Sequence, residues 1–469
     1  MDNAMLPRLG GPMGRHARPR GAWFDPRPTI VLAASVLFVI LFLRHIPCVQ
    51  TDAANAVNAY IRVCYSDIQT TFLSQGFGQG RSPLGADSLL FSPLIAVIIL
   101  LTRKVSSGIF NAPVTRSADL QAQIDSSLTF LALTTVGLFI CFVIASLAMS
   151  YLGRDARVGR PSWDGMLLAA SPIVLASGLI SWDLVPIAFT LLGLVQFARG
   201  RVFESAIILG LAASAGTMPI AVVLAITVAC GLRSGWRTAL RFGLTSVATF
   251  TLVHLPLLID NFDAVYAFYH QEINKQTGYG SIWYLASLLG APTRDTGSLA
   301  FLLLVAFLGI LIAWLYVSGK RPRIGSLVAV VILAATILGP AYPPQASLWV
   351  LVAAILARPF PPELIALTVA EVGYYLAIWG WLGGALTTNQ SGPYLLYWLA
   401  IALRAGVQAW ILVESMLDIV RPARDALRSP DAPDPLGGVL NDGDVLAPVA
   451  APAETDLLTD HGVAPQATG

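Results

Sequence analysis

Ionisable residues outside the basic flanks of this chain are sparse, and they fall in three stretches where chemistry is concentrated. The first, residues 44–87, holds Cys48, Asp52, Cys64-Tyr65-Ser66-Asp67-Ile68, Gly76-Phe77-Gly78-Gln79-Gly80 and Asp87. A carboxylate such as Asp67, at a membrane surface near an acceptor hydroxyl, can serve as a general base. The same residue also suits a helix cap or a plain surface carboxylate. At about 40 residues the stretch is too long for a simple connector, and Tyr60, Ile61, Val63, Tyr65, Phe72 and Leu73 give it reason to be ordered. Cys48 and Cys64 flank it. They form a disulfide if the stretch faces an oxidising compartment, and are otherwise two buried thiols.

The second stretch is Ser181-Trp182-Asp183, at the junction of two apolar runs. Asp183 there is either a carboxylate at a cavity rim, with Trp182 at headgroup level, or an N-cap for the next helix. The third runs from Phe268-Tyr269-His270-Gln271-Glu272-Ile273-Asn274-Lys275 to Gly278-Tyr279-Gly280-Ser281-Ile282-Trp283-Tyr284. Aromatic rings stack on sugar faces, and Lys275 and His270 suit neutralisation of a phosphate. His254, before Pro256, reads as a packed, hydrogen-bonded histidine. The cysteines and histidines form no metal-ligand pattern, so no metal is expected. No phosphate-loop, dinucleotide, serine-hydrolase or zinc-protease motif stands in a supporting context.

The elements that must position these residues are membrane helices. The chain is 56% hydrophobic and 12% charged, against roughly 25% charged in a soluble domain. Lipid is the solvent such a surface requires, and nothing in the charge distribution points to nucleic acid. Apolar runs lie at about 29–43, 88–102, 128–151, 165–181, 183–198, 204–231, 239–259, 298–317, 325–339, 344–357, 361–383 and 393–417. Arginine and lysine clusters at Arg154/Arg157/Arg160, Arg233/Arg237/Arg241 and Lys320/Arg321/Arg323 read as cytoplasmic loops. The first run has no cleavage site and follows five arginines, so it reads as an uncleaved helix with its N-terminus inside. Charge parity then requires either that one run, the weak 88–102, be re-entrant or interfacial, or that the first loop hold another membrane element. Gly216-Thr217-Met218-Pro219 either kinks 204–231 or, as its basic flanks favour, turns it into a hairpin.

The expected fold is an all-α polytopic membrane protein of about 12 transmembrane helices with a structured first extracytoplasmic loop. Residues 1–28 form a basic cytoplasmic N-terminus and 29–420 the membrane domain, with outer loops at 44–87 and 260–297. Residues 421–469, rich in Pro, Asp, Ala and Gly, form a disordered cytoplasmic tail. The location is the cell membrane, with both termini cytoplasmic.

Four segments resemble the actinobacterial integral-membrane glycosyltransferases of family 87, enzymes of GT-C type. Pro47-Cys48 with Cys64-Tyr65-Ser66-Asp67-Ile68 looks like that family's first outer loop. Trp163-Asp164-Gly165-Met166, Ala170-Ser171-Pro172 and Ile180-Ser181-Trp182-Asp183-Leu184 resemble its paired central helices. Gly210-Leu211-Ala212-Ala213 through Met218-Pro219 is similar to its glycine-containing kink. His254-Leu255-Pro256 and Phe268-Tyr269, ending in Gly280-Ser281-Ile282-Trp283-Tyr284, is the most specific segment. Together they cover roughly residues 28–290.

The resemblance implies a GT-C-like bundle and an inverting transfer on the outer face. The donor would be a polyprenyl-phosphate sugar, mannose above all, and the acceptor a cell-envelope lipid or glycan. Asp67 would be the catalytic base. His270, Lys275, Ser281, Trp283, Tyr284 and Asp183 would bind donor phosphate and sugar. The lipid-linked sugar is a co-substrate, so no cofactor is expected; the other partners are membrane lipids. Three family positions differ: Leu90-Phe91-Ser92-Pro93 stands where Glu-Tyr-Pro is usual, Thr217-Met218-Pro219 lacks a lysine, and Gly278 replaces a carboxylate. These departures keep open a non-catalytic relative of such enzymes, and a lipid-substrate transporter is the remaining alternative.

Overall fold

A chain in lipid must satisfy its backbone amides internally, and the described residues do so with helices and no strand. The computed structural model describes residues 25–49, 57–84, 89, 91–112, 119–154, 161–288, 290, 294–386, 394–425, 427 and 434–441. Residues 1–24 of the basic N-terminus, Asp52, Asp87, Leu90, Arg157, Arg160 and residues 442–469 lie outside them.

In chain order, α1 (Pro26–Arg44), α2 (Ile46–Val49) and α3 (Asp67–Ser74) precede α4 (Pro93–Ile109) and α5 (Leu120–Leu152). A middle group follows: α6 (Gly165–Ala169), α7 (Pro172–Ser177), α8 (Leu184–Ala198), α9 (Val202–Ala215) and α10 (Met218–Arg233). Then come α11 (Trp236–Asp260), α12 (Phe262–Ile273), α13 (Ile282–Leu288) and α14 (Thr296–Ser318). The described helices of the last group are α15 (Ile324–Leu338), α16 (Ala346–Ala357), α17 (Pro361–Leu382) and α18 (Leu395–Val420).

Length sorts these helices into two layers. Six are long and apolar enough to cross a membrane: α1, α5, α11, α14, α17 and α18. The pair α6–α7 and helices α8, α9, α10, α15 and α16 are apolar but shorter. Helices α15 and α16 are buried along nearly their whole length, whereas only 17% of an 18-residue apolar stretch in each of α11 and α14 is buried. Helices apolar all round belong either in a core or in lipid, and this chain uses both placements. The expected hairpin at 204–231 is two helices, broken where Gly216 is extended and Pro219 opens α10. The weak 88–102 run becomes α4, which carries Arg103 and Lys104 and is not among the helices of spanning character.

Charged loops gather at one end of the bundle. There Arg27 reaches Tyr151, Arg154 pairs with Asp164 (2.8 Å), Arg233 Nη2 donates to the Arg321 carbonyl (3.5 Å) and Lys320 Nζ to the Val420 carbonyl (2.9 Å). The described part of the segment expected to be a disordered tail is packed at this same end, which corrects that expectation for residues 421–425 and 434–441. Asp425 accepts from Arg323 Nε (3.0 Å), and Asp434 Oδ2 accepts from the backbone amide of Ile324 (3.1 Å), the start of α15. Arg323 also donates to the carbonyls of Leu356 and Ala357 at the end of α16. Helix ends leave orphan amides and carbonyls: here Asp434, on a strap of residues 434–441, takes the Ile324 amide, and Arg323, held by Asp425, takes the two carbonyls. Leu436 and Leu440 pin the strap down, with 1% and 0% exposure. The segment's composition resembles a solvated tail because its anchors are only two leucines and two carboxylates.

Replacing Leu440 by alanine removes a fully buried side chain and is expected to cost about 2–5 kcal/mol. A thermal unfolding curve of the detergent-solubilised protein reads this as a lowered midpoint; an unchanged midpoint shows that the strap does not contribute to stability.

Candidate active site

The other end of the bundle holds the polar residues singled out above. A disulfide joins Cys48 to Cys64 with their Cα atoms 5.8 Å apart, and so ties α2, directly after α1, to the approach to α3. Ser66 caps α3: its Oγ accepts from the Ile68 amide (3.3 Å) and donates to the Leu179 carbonyl (2.7 Å). The amide of Asp67 donates to the Ile180 carbonyl (2.8 Å). These bonds dock the first turn of α3 onto the turn that carries Ser181, Trp182 and Asp183.

Two carboxylates thereby come together. Gln345 Nε2 donates to Asp67 Oδ2 (3.3 Å), and the Tyr65 hydroxyl donates to the same carboxylate. Asp183 accepts from Trp349 Nε1 (3.1 Å) and from the Ser181 hydroxyl. Neither side chain caps a helix. Ser66 takes that role for α3, and Asp183 stands at the head of α8 without bonding its amides. The Asp67 carboxyl is held above its ordinary range chiefly by burial. The Tyr65 bond opposes that shift, the Asp183 charge adds to it, and the Gln345 bond again opposes it.

Aromatic rings line the approach. Tyr60, Tyr65 and Trp379 form a triangle with ring centres 4.9, 5.4 and 5.1 Å apart. Trp381, two residues from Trp379 on α17, meets the Tyr279 ring at 5.3 Å, which brings the 278–284 stretch to the site. That stretch is fastened to the connection between α15 and α16: the Gly278 amide donates to the Pro340 carbonyl (2.8 Å), and the Tyr342 amide to the Tyr279 carbonyl (3.1 Å). From the other side Arg404 Nη2 donates to the Gly280 carbonyl (2.6 Å).

Arg404 belongs to a buried polar network. Its Nη1 donates to Gln408 Oε1 (3.2 Å), and Gln408 Nε2 donates to Glu371 Oε1 (2.6 Å). The Tyr342 hydroxyl donates to Glu371 at 3.0 Å, and the Arg404 guanidinium lies 3.5 Å from the Tyr342 ring centre. Sequence reasoning missed this network, along with Gln345 and Trp349. The signal was an ionisable residue inside an apolar run, at Glu371 and at Arg404. Gln345 and Trp349 carry no such mark.

The remaining expected site residues are placed differently. Ser281 is buried and caps α13, accepting from the Tyr284 amide (3.0 Å) and donating to the Gly278 carbonyl (2.9 Å). Trp283 Nε1 donates to the Leu338 carbonyl (2.8 Å), and Tyr284 packs against Trp381 and Tyr397. His270 is exposed on α12 with its ring against Tyr266, and Lys275 is exposed and paired with Glu272 at 2.6 Å. Their contacts lie within their own segment and do not join them to Asp67. His254 is packed as expected: its Nδ1 faces the Phe250 carbonyl and its Nε2 the Tyr269 hydroxyl (2.7 Å). Among the described residues no group of three or more His, Cys, Asp or Glu is placed to hold a metal ion.

One departure from the expected pattern has a steric cause. A Cβ at Gly278 would stand 2.5 Å from the Ala341 Cβ, so the carboxylate expected there has no room. At Gly280 the constraint is tighter. Its φ is +76°, and a Cβ would meet the Tyr374 hydroxyl at 1.8 Å and the Tyr342 carbonyl at 2.6 Å.

Residues 119–340 match the family described as Glycosyltransferase family 87. The match spans Asp183 and the 268–284 stretch; Cys48, Cys64, Asp67, Glu371 and Arg404 lie outside it. No curated protein and no solved structure matches the chain.

Gly280→Ala is expected to abolish tight packing of the 278–284 stretch and lower the unfolding midpoint. Adding Tyr374→Phe removes the nearer obstacle but leaves the Tyr342 carbonyl, so only partial recovery is expected. Full recovery in the double variant would show that the backbone approach at Tyr342 is not limiting.

Proposed function

We propose that this chain, whose residues 119–340 match Glycosyltransferase family 87 and whose long apolar helices suit a membrane, transfers a sugar, mannose in the first instance, from a polyprenyl-phosphate donor to a hydroxyl of a cell-envelope lipid or glycan. The reaction runs at the disulfide-bearing end, which faces outward from the cell membrane; the basic end, where Arg27 and Val420 both lie, faces the cytoplasm. The observation that carries this reading is the setting of Asp67: a partly buried carboxylate beside Asp183, with its proton affinity raised. Ionised Asp67 takes the proton of the acceptor hydroxyl as that oxygen bonds the anomeric carbon. The bond from that carbon to the phosphate oxygen breaks on the opposite face, and polyprenyl phosphate leaves with the electron pair. The configuration at the carbon inverts.

A raised proton affinity helps a base, because catalytic efficiency is greatest when the pKa approaches the working pH. Asp183, fixed by Trp349 and Ser181, supplies part of that lift and is a positioning residue. Exposed His270 and Lys275 are candidates for binding the leaving phosphate, with Lys275 exchanging its Glu272 partner for it. The lipid-linked sugar is the co-substrate, and no cofactor enters the step. A second reading, a non-catalytic relative, is favoured by the missing family residues at Leu90-Phe91-Ser92 and Thr217-Met218.

In membranes supplied with radiolabelled polyprenyl-phosphate mannose, wild type is expected to label a lipid or glycan. Asp67→Asn is expected to cut the rate about 10²–10⁴-fold. Equal labelling removes Asp67 from the mechanism, and no labelling from any polyprenyl-phosphate sugar supports the non-catalytic reading. The sign of the stability change follows from the raised pKa. Ionised Asp67 is worse off folded than unfolded, and stability is lost as pH rises through its folded pKa, so Asp67→Asn is expected to keep or raise the unfolding midpoint at neutral pH.

The pH profile supplies a separate check. Activity needs ionised Asp67, so it falls as pH drops through a pKa above the ordinary 3.8. Asp183→Asn removes the neighbouring charge and is expected to move that acid limb to lower pH. A limb that stays in place excludes electrostatic coupling between the two.

A further inference from the structure

We propose that Tyr279 is the platform on which a pyranose ring stacks beside Asp67. The inference rests on the glycosyltransferase reading above and adds a binding residue to it. Gly278 and Gly280 flank Tyr279, and neither tolerates a side chain: their backbone is pressed onto Ala341, Tyr342 and Tyr374. Hydrogen bonds to Pro340, Tyr342 and Arg404 hold it there. In this Gly-Tyr-Gly sequence the one side chain is therefore displayed away from the floor.

Tyr279 is 51% exposed, although it sits among buried aromatics. Trp381 and Tyr284 meet it at steep angles, 65° and 78°, with centroids 5.3 and 5.7 Å away. Those contacts brace the ring and leave about half its surface open. The negative face of an aromatic ring attracts the weakly positive C–H face of a pyranose, whose hydroxyls remain free at the edge. Trp381, which braces this ring, stands two residues from Trp379 on α17, and Trp379 packs on Tyr60 and on Tyr65, the bonding partner of Asp67, so the open ring lies on the approach to the carboxylate. Ser281 and Trp283, by contrast, have their polar atoms committed to the loop itself. The stacked sugar belongs either to the acceptor or to the lipid-linked donor, since both present a pyranose.

Binding is tested without turnover. Methyl α-mannopyranoside and the corresponding glucoside and galactoside are titrated into the detergent-solubilised protein, with tryptophan fluorescence as readout. Saturable quenching by at least one is expected for wild type, Tyr279→Phe and Asp67→Asn. Tyr279→Ala, and Tyr279→Leu with similar bulk and no aromatic face, are expected to weaken it at least tenfold while unfolding at the wild-type temperature. Absence of saturable quenching in wild type, or equal affinity in Tyr279→Leu, overturns the proposal. Because Asp67→Asn still binds, loss of transfer and loss of stacking are read separately. In the labelling assay Tyr279→Leu is expected to raise KM more than it lowers kcat. A rise for the acceptor assigns the sugar to the acceptor, a rise for polyprenyl-phosphate mannose to the donor, and unchanged KM for both overturns the platform.

Discussion

Arg404 is buried among apolar helices with 1% exposure, and a cation in that setting needs acceptors to offset its lost hydration. It finds Gln408, the Gly280 carbonyl and the faces of Tyr342 and Tyr374. Glu371 balances its charge at one remove, through Gln408 and the Tyr342 hydroxyl. An arrangement of this kind contributes little net stability, because desolvation offsets most of the attraction. Its value here is geometric. Each member has one satisfactory position, and the positions of Tyr279 and the α15–α16 connection follow from them.

That connection, residues 339–345, is where three distant parts of the chain meet. Pro340 and Tyr342 hold the 278–284 stretch, the Pro344 carbonyl accepts from Ser177 at the end of α7, and Gln345 reaches Asp67. Asp67 comes from the first third of the chain, Asp183 from the middle and Gln345 from the last third. The candidate site is therefore not contained in the matched residues 119–340. The matched part supplies Asp183 and the aromatic loop, while the base proposed for the reaction enters from outside it.

Much of this was legible in the sequence because lipid imposes a simple grammar. Apolar run length marked the helices, and the breaks at Gly216 and Pro219 marked where one became two. Asp67 and Asp183 stood out as carboxylates beside apolar runs. Nothing in linear order, however, indicated that they share one site, since their meeting depends on backbone bonds from Ser66 and Asp67 to Leu179 and Ile180. Lys275 was conspicuous as a cation, yet a glutamate three residues earlier neutralises it. Glu371 and Arg404 sat inside runs that were read for hydrophobicity, so the partnership between them was not visible there. The strap of residues 434–441 escaped because composition averages over a few decisive contacts.

The shortness of α15 and α16 has a bearing on where the reacting atoms lie. At 15 and 12 residues they rise about 22 and 18 Å, against about 30 Å of hydrocarbon. Both are clamped at the basic end by Arg323 and the strap, so the shortfall of roughly 8–12 Å falls at the opposite end. The longer helices α17 and α18, at 22 and 26 residues, are long enough to span that thickness. The 339–345 connection is thereby recessed relative to the ends of the longer helices α17 and α18. For the lipid-linked donor proposed above, a recessed site would let the sugar meet the carboxylates with its prenyl tail still among the helices' apolar surroundings.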